Sequence, residues 1–349
     1  MSKKIRVLIV EDSLVVRELL KHIIGSDPRF DVVAAVESAE EGLALLDVVE
    51  PDIISLDIRL PGMNGLDATL QIMAKRPTPI VVVAANVDDD ELNIAMNALR
   101  AGALAVVEKP VGVTNAAFES MAQHLCTQLA IMSQVKVVRQ GIDRGLRFGT
   151  AEAPTGMRRP AQGFGLVGIV SSTGGPQALV QLLGSLGSDF PLPILLVQHI
   201  TASFLEGFVS WLAGVTPFAV QIAKGGEAPE AGRVYVPPAD RHLALKEGRL
   251  VLLDTPPLHS QKPSGSVLLS SVARDMGRRA IGVVLTGMGS DGADGMAELH
   301  KAGGHTIAED ESTCVVYGMP AAAAKLGAVK DMLPLPGIAP RLIQLAGGK

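Results

Sequence analysis

The sequence predicts an α/β protein with two successive domains, each an open and mainly parallel sheet covered by helices. Three observations carry this. Short runs rich in Val, Ile and Leu recur along the chain, and amphipathic stretches alternate with them. Repeated βα units, with both sheet faces covered, produce that alternation. It breaks off across residues 134–163, where Gly, Pro and Arg replace the apolar period. Finally, 349 residues are long for one core, so the break reads as a domain boundary. The first domain is placed at residues 1–125, a helix end and linker at 126–163, and the second domain at 164–349.

In the first domain the strands are IRVLIV (5–10), DVVAAV (31–36), DIISL (52–56), PIVVVAA (79–85) and ALAVVEK (103–109). Residues 115–135 read as a further helix. Sites in such sheets form beyond the carboxyl ends of the strands. Glu11 and Asp12 end the first run, Asp57 the third, and Lys109 the fifth. Three carboxylates at one sheet edge repel each other unless a cation sits among them, and oxygen donors suit magnesium. An Asp beside such an ion can take a phosphoryl group, and a Lys offsets the added charge. Taken singly, Asp12 and Ser13 serve as well to cap the first helix, and Asp57 to cap a loop. As a set on one edge they favour a site.

The interrupting stretch carries Lys136, Arg139, Arg144, Arg147, Arg158 and Arg159 against Asp143 and Glu152, a net of +4. A solvated interdomain linker explains this length and composition better than a docking segment.

In the second domain the strands are FGLVGIVS (164–171), LPILLVQH (192–199), GRVYVPP (232–238), RLVLL (249–253), AIGVVLTGM (280–288) and HTIAE (305–309). HLALKEGRLVLL (242–253) reads as a hairpin turning at Glu247-Gly248. Ser172 and Thr173 end one strand before two glycines and Pro176, His199 ends another, and Asp291 lies in the glycine-rich TGMGSDGADG (286–295). A serine hydroxyl needs a base, and the base needs an acid that holds its tautomer. Three strand ends could bring such a set to one edge, with glycines letting backbone N–H groups reach an oxyanion.

The residues alone leave alternatives open. Ser172 could cap the helix starting near Pro176, or the turn could cradle a phosphate. No G-x-G-x-x-G follows Ser171, which argues against a dinucleotide fold. Asp294 and Asp310 compete with Asp291 as the acid. His242, His259, His300 and His305 compete less well with His199, because their surroundings are polar or turn-rich. No G-x-S-x-G elbow is present, so a triad here belongs to another fold than the α/β-hydrolases.

Composition excludes several classes. Hydrophobic residues make up 48% and aromatics only 3%, so the cores are aliphatic. A net charge of −5 argues against a nucleic-acid binder. Cys126 and Cys314 have no metal-ligand spacing and read as small buried hydrophobes. No run approaches the ~20 apolar residues of a membrane span, and MSKKIRVLIVEDS is not a signal peptide. A soluble, cytoplasmic protein without membrane insertion is expected.

VLIVEDSLVVRELL, SLDIRLPGMNGLD and VVEKP resemble the response-regulator receiver domain across residues 5–125. The resemblance implies a flavodoxin-like (βα)5 fold, with Asp57 as phospho-acceptor and Lys109 as phosphate partner. It implies Mg2+ held by Glu11, Asp12 and Asp57 with the backbone carbonyl of Arg59. Two positions depart from the pattern: Ala84 stands where the family usually has Ser or Thr, and Val106 where it usually has Tyr or Phe.

GIVSSTGGPQAL, VQH, AGRVYVPPADRHLAL, VVLTGMGSDGADGM and EDESTCVVYGMP resemble the catalytic domain of the chemotaxis protein-glutamate methylesterase (CheB) family along residues 165–340. That resemblance implies Ser172 as nucleophile, His199 as base and Asp291 as acid. Thr173 lies beside the nucleophile, and Met288 donates its N–H to the oxyanion. No cofactor is implied in the esterase site. Gln261 and Ser266 stand where the family often has His and Asp, and are expected to line the substrate groove. The implied function is phosphorylation-regulated hydrolysis of glutamate methyl esters on methyl-accepting chemoreceptors, with deamidation of receptor glutamines at the same site. A chemosensory histidine kinase is the implied phosphodonor. Recruitment to chemoreceptor arrays at the inner membrane face is the implied location. Two alternatives stand beside this reading: an esterase with a degenerate, partner-switched receiver, and a non-catalytic receptor-binding adaptor.

Overall fold

A computed structural model describes residues 3–85, 89–110, 115–135, 137 and 163–347. The chain divides into two compact units, and the division falls outside the described residues. The basic residues expected in the linker also lie outside them.

The first unit alternates strand and helix throughout. Its strands are β1 (Ile5–Val10), β2 (Phe30–Val36), β3 (Ile53–Asp57), β4 (Ile80–Ala84) and β5 (Ala105–Glu108). Its helices are α1 (Leu14–Ser26), α2 (Ala39–Val49), α3 (Gly65–Lys75), α4 (Asp89–Ala101) and α5 (Asn115–Met132). The strands lie in the order β2-β1-β3-β4-β5, and every pair is parallel. This is the flavodoxin-like order. β3 and β4 are buried along their whole length, which is why they read as unbroken apolar runs. From β1 the chain steps one way to β2, and from β3 the other way to β4. The order therefore reverses between β1 and β3, and a crevice opens there beyond the strand ends.

The second unit has strands β6 (Leu166–Ser171), β7 (Ile194–Gln198), β8 (Ala219–Ile222), β9 (Arg233–Val236), β10 (His242–Lys246), β11 (Arg249–Leu253), β12 (Ala280–Val284), β13 (His305–Glu309) and β14 (Asp331–Leu333). Its helices are α6 (Gly175–Leu186), α7 (Ala202–Val215), α8 (Gly265–Met276), α9 (Ala293–Lys301), α10 (Met319–Lys325) and α11 (Leu335–Leu345). Seven strands form a parallel sheet in the order β14-β13-β12-β6-β7-β9-β8. Here the order reverses between β6 and β12. Right-handed crossovers that step in opposite directions put their helices on opposite faces. β10 and β11 form a separate antiparallel hairpin with Lys246 opposite Arg249. Its two-residue turn is the expected Glu247-Gly248, both at positive φ (52° and 71°). The hairpin packs with α8 around Leu243, Leu245, Leu250, Leu268 and Val272, all buried.

Candidate functional site

The first-unit site lies at the β1/β3 crevice. Glu11 and Asp12 follow β1, Asp57 closes β3, and oxygens of the three lie within 4.8 Å of one another. Lys109 follows β5, and its Nζ is 2.8 Å from Asp57 Oδ2 and 3.0 Å from Glu11 Oε2. Arg59 N–H donates to Asp57 Oδ1 at 3.2 Å, and Arg17 holds the carbonyls of Glu11 and Asp12 at 2.6 and 3.1 Å. All four expected residues are thus brought together. Burial, and next the neighbouring Asp57 charge, push the Glu11 carboxyl up to about 7 despite Lys109. Burial also raises Asp57, with Lys109 opposing. One cation facing two buried carboxylates leaves the site short of positive charge. Among the described residues, Glu11 Oε2 and Asp57 Oδ2 also have no aligned hydrogen-bond donor. A hard divalent ion fits this all-oxygen donor set. Ala84 is buried at the end of β4 and offers no hydroxyl there, while its carbonyl accepts Lys109 N–H at 2.9 Å.

The second-unit site lies at the β6/β12 crevice. Ser172 follows β6 and His199 follows β7, and Ser171 pairs in register with Gln198. The two candidate residues therefore emerge side by side from adjacent strands. Ser172 is not a helix cap. The N-cap of α6 is Gly174, and no side chain caps that helix. Ser172 N–H donates to Thr286 O at 3.1 Å, and Ser172 O accepts Gly175 N–H at 2.8 Å. Its backbone is held at both ends, while its hydroxyl caps no helix and has no hydrogen bond among the described residues.

His199 Nε2 donates to Asp291 Oδ2 at 2.8 Å. That leaves Nδ1 as the nitrogen able to act as a base. Asp291 is 2% exposed and accepts three further bonds. They come from Ser264 Oγ (2.6 Å) and Ser266 N–H (3.0 Å) to Oδ1, and from Gly265 N–H (2.6 Å) to Oδ2. Burial would raise this carboxyl, but the bonds from His199, Ser264 and the Ser266 N–H hold it well below the usual range. Asp291 faces the first turn of α8, where backbone N–H groups have no partner within the helix and the helix dipole favours an anion.

The competing acids are engaged elsewhere. Asp294 binds His259 at 2.8 Å, and Asp310 accepts from Ser312. His305 binds Asp331, and His300 meets Thr306 Oγ1.

The loop after β12 presses on Ser172. A Cβ built on Gly287 would stand 2.7 Å from Ser172 Cβ, so only glycine permits this approach. The next residue is Met288, and its N–H meets no acceptor among the described residues. It is an unpaired donor one residue beyond the Gly287–Ser172 contact. Thr173 contributes its carbonyl, which accepts from Thr286 Oγ1 at 2.9 Å. Thr286 N–H is held in turn by the fully buried Glu309 at 2.8 Å.

Several contributors were not anticipated. Gln198 Nε2 donates to both Ser172 O and His199 O at 2.9 Å, and Gln198 Oε1 accepts from Ser171 Oγ at 2.7 Å. One buried amide thus ties the two strand ends together. Gly175 leaves room for it, since a Cβ there would collide with Gln198 Oε1. A buried amide ending an apolar run was the available signal. Ser264, followed by Gly-Ser and an apolar stretch, carried an N-cap signature. Ser266 corrects an expectation. It is 1% exposed, grips Asp291 with its N–H and accepts Gly292 N–H on Oγ at 2.8 Å. It supports the acid rather than lining a groove. Gln261 is half-buried and pairs with Leu258 through the backbone.

Residues 167–342 match the family described as CheB methylesterase, and residues 7–117 match the response regulator receiver domain. A Paramagnetospirillum magneticum protein named protein-glutamate methylesterase/protein-glutamine glutaminase 2 is 69% identical over 349 residues, covering 100% of this chain and 99% of its own. A Myxococcus xanthus protein named protein-glutamate methylesterase/protein-glutamine glutaminase 4 is 41% identical, covering 97% and 96%. The crystal structure of the Thermotoga maritima CheB methylesterase catalytic domain matches with a TM-score of 0.50 at 35% identity, over 52% of this chain and 98% of that one.

Proposed function

The chain belongs to the CheB methylesterase family and joins that domain to a response-regulator receiver, and from that premise we propose that Ser172, His199 and Asp291 are its hydrolytic triad. The protein is a protein-glutamate methylesterase/protein-glutamine glutaminase that demethylates chemoreceptors in chemosensory adaptation. The observation that carries the residue assignment is the 2.8 Å bond from His199 to Asp291 beside a serine with no capping role.

In this reading Ser172 Oγ attacks the ester carbonyl carbon while His199 Nδ1 takes its proton. Asp291 holds the imidazolium that results. The carbonyl oxygen becomes an oxyanion, which the Met288 N–H stabilises. The intermediate collapses, the C–O bond to the methoxy group breaks, and His199 returns the proton so that methanol leaves. Water then attacks the acyl-serine with His199 again as base, freeing the glutamate carboxylate and Ser172. With a glutamine side chain the same steps release ammonia. A pocket is lined by Gln198 and Ile200, the chain neighbours of His199, with Leu205, Pro237, Pro238 and Lys262.

We read residues 1–125 as the receiver, 126–163 as helix end and linker, and 164–349 as the catalytic domain. Glu11, Asp12 and Asp57, with the Arg59 carbonyl, would hold Mg2+. Bound there, the ion supplies the positive charge that lets a phosphoryl group approach a carboxylate. Asp57 attacks phosphorus, the bond from phosphorus to the kinase histidine breaks, and Lys109 pairs with the phosphoryl oxygens. Phosphorylation then relieves inhibition of the esterase. Among the described residues no helix is long and apolar enough to cross a membrane. We propose recruitment to receptor arrays at the inner membrane face, where the methylated receptors lie.

A second reading is a receiver that docks without phosphate control. It is favoured by Ala84 and Val106, which supply neither a hydroxyl nor an aromatic ring. One assay separates the two: methanol release from methylated receptor with and without a small phosphodonor and Mg2+. Stimulation lost in Asp57→Ala supports the first reading. Equal rates in all arms support the second.

A further inference from the structure

The hairpin β10–β11 lies outside the main sheet and is fastened along α8 at three levels. At the turn, Glu247 and Gly248 N–H donate to Asp275 at 2.6 and 3.0 Å. Midway, Leu245 N–H donates to Ser271 Oγ at 2.9 Å. At the far end stands His242, 0% exposed. Its Nδ1 accepts Ser264 N–H at 3.0 Å, and its Nε2 faces Pro256 O at 3.2 Å. A backbone N–H can only donate and a carbonyl can only accept. The partners therefore dictate a neutral ring with its proton on Nε2.

Ser264 is the N-cap of α8. In a capping box the N-cap N–H is taken by a Glu or Gln three residues on. Here that residue is Val267, which has no acceptor. His242 fills the vacancy from another element. The serine it holds is the one whose Oγ grips Asp291 Oδ1 at 2.6 Å, followed by the N–H groups of Gly265 and Ser266.

We propose that His242 is a positioning residue for the catalytic acid. Through its bond to Ser264 N–H it fixes the first turn of α8. The three donors there can then seat Asp291 with Oδ2 facing His199. The hairpin is the splint that brings His242 to that place. This inference rests on the triad reading given above.

Two isosteric variants separate the ring nitrogens. His242→Asn puts an acceptor oxygen where Nδ1 stands. His242→Gln puts an amide donor near Nε2 and nothing at Nδ1. Asp275→Ala is the control, loosening the hairpin at the end remote from Asp291. Methanol release and the unfolding midpoint are measured for each in the full chain. His242→Gln should lower kcat by about 10- to 100-fold with KM unchanged, the cost of misplacing a catalytic group by a fraction of an ångström. His242→Asn and Asp275→Ala should stay within about threefold of the native kcat, even where their midpoints fall. Full kcat in His242→Gln overturns the proposal. So does equal loss in the Asn and Gln variants that tracks their midpoints, which marks a merely structural role. If the variants do not fold, the imidazole 15N spectrum of the native protein decides. A proton on Nε2 supports the proposal, and one on Nδ1 overturns it. Native rates in Ser172→Ala would instead count against the triad.

Discussion

Replacing Asp291 by Asn tests the acid most sharply, because shape is kept and charge is removed. Asp291 accepts four hydrogen bonds, two on each oxygen. An amide can accept on one side only. One orientation sets its NH2 group against Gly265 N–H and His199, the other against Ser266 N–H and Ser264. Either way a buried backbone N–H loses its acceptor, which costs about 1–3 kcal/mol, and the surviving bonds lose charge assistance. A total destabilisation of about 2–4 kcal/mol follows. Catalysis suffers more, because the imidazolium loses its counter-charge and the tautomer its anchor. A fall in kcat on the order of 10³- to 10⁴-fold is expected. The stability gap should also depend on pH. Asp291 is held below its ordinary range in the fold. Its contribution is therefore complete above the unfolded value of about 4 and drains away as pH falls toward the folded value. The gap between native protein and variant should stay constant from about pH 8 to 5 and narrow below about pH 4. Chemical denaturation across that range and methanol release at neutral pH read both effects. A variant within tenfold of native activity, or a gap that widens on acidification, would refute the reasoning.

Other outcomes follow from the same geometry. Ser172→Ala should abolish methanol release yet shift unfolding by less than about 0.5 kcal/mol, since the hydroxyl caps nothing. Gln198→Leu strips donors from Ser172 O and His199 O, and kcat should fall by about 10- to 100-fold at neutral pH. Gly287→Ala drives a methyl group against Ser172 and should lower kcat far more than it raises KM in the same assay. Chelation of divalent ions should prevent labelling of Asp57 by a small phosphodonor and leave basal methanol release intact, which an acyl-phosphate assay run beside the esterase assay reads.

Much of this arrangement is legible in the sequence. The long strands and the switch-point residues stand out because a buried parallel strand is an unbroken apolar run, and its carboxyl end is where polar residues begin. β8 and β14 escaped notice. They are the two sheet edges, only four and three residues long, and AVQI and DML carry no period to detect. Ser172 alone reads more as a cap than as a nucleophile. The difference lay in Gly174, whose role as N-cap depends on backbone geometry. Ser266 looked like a groove residue and His242 like a turn residue, yet both are buried around Asp291. Their partners lie 25 and 22 residues away along the chain, and such pairings leave no periodic trace.

In the proposed mechanism Ser172 is acylated by the receptor glutamate. Rapid acid quench of the native protein turning over a methylated receptor peptide, followed by mass analysis, tests it directly. An acyl adduct is expected on the fragment containing Ser172, absent from Ser172→Ala, which should release no methanol. Turnover by folded Ser172→Ala at the native rate would contradict it.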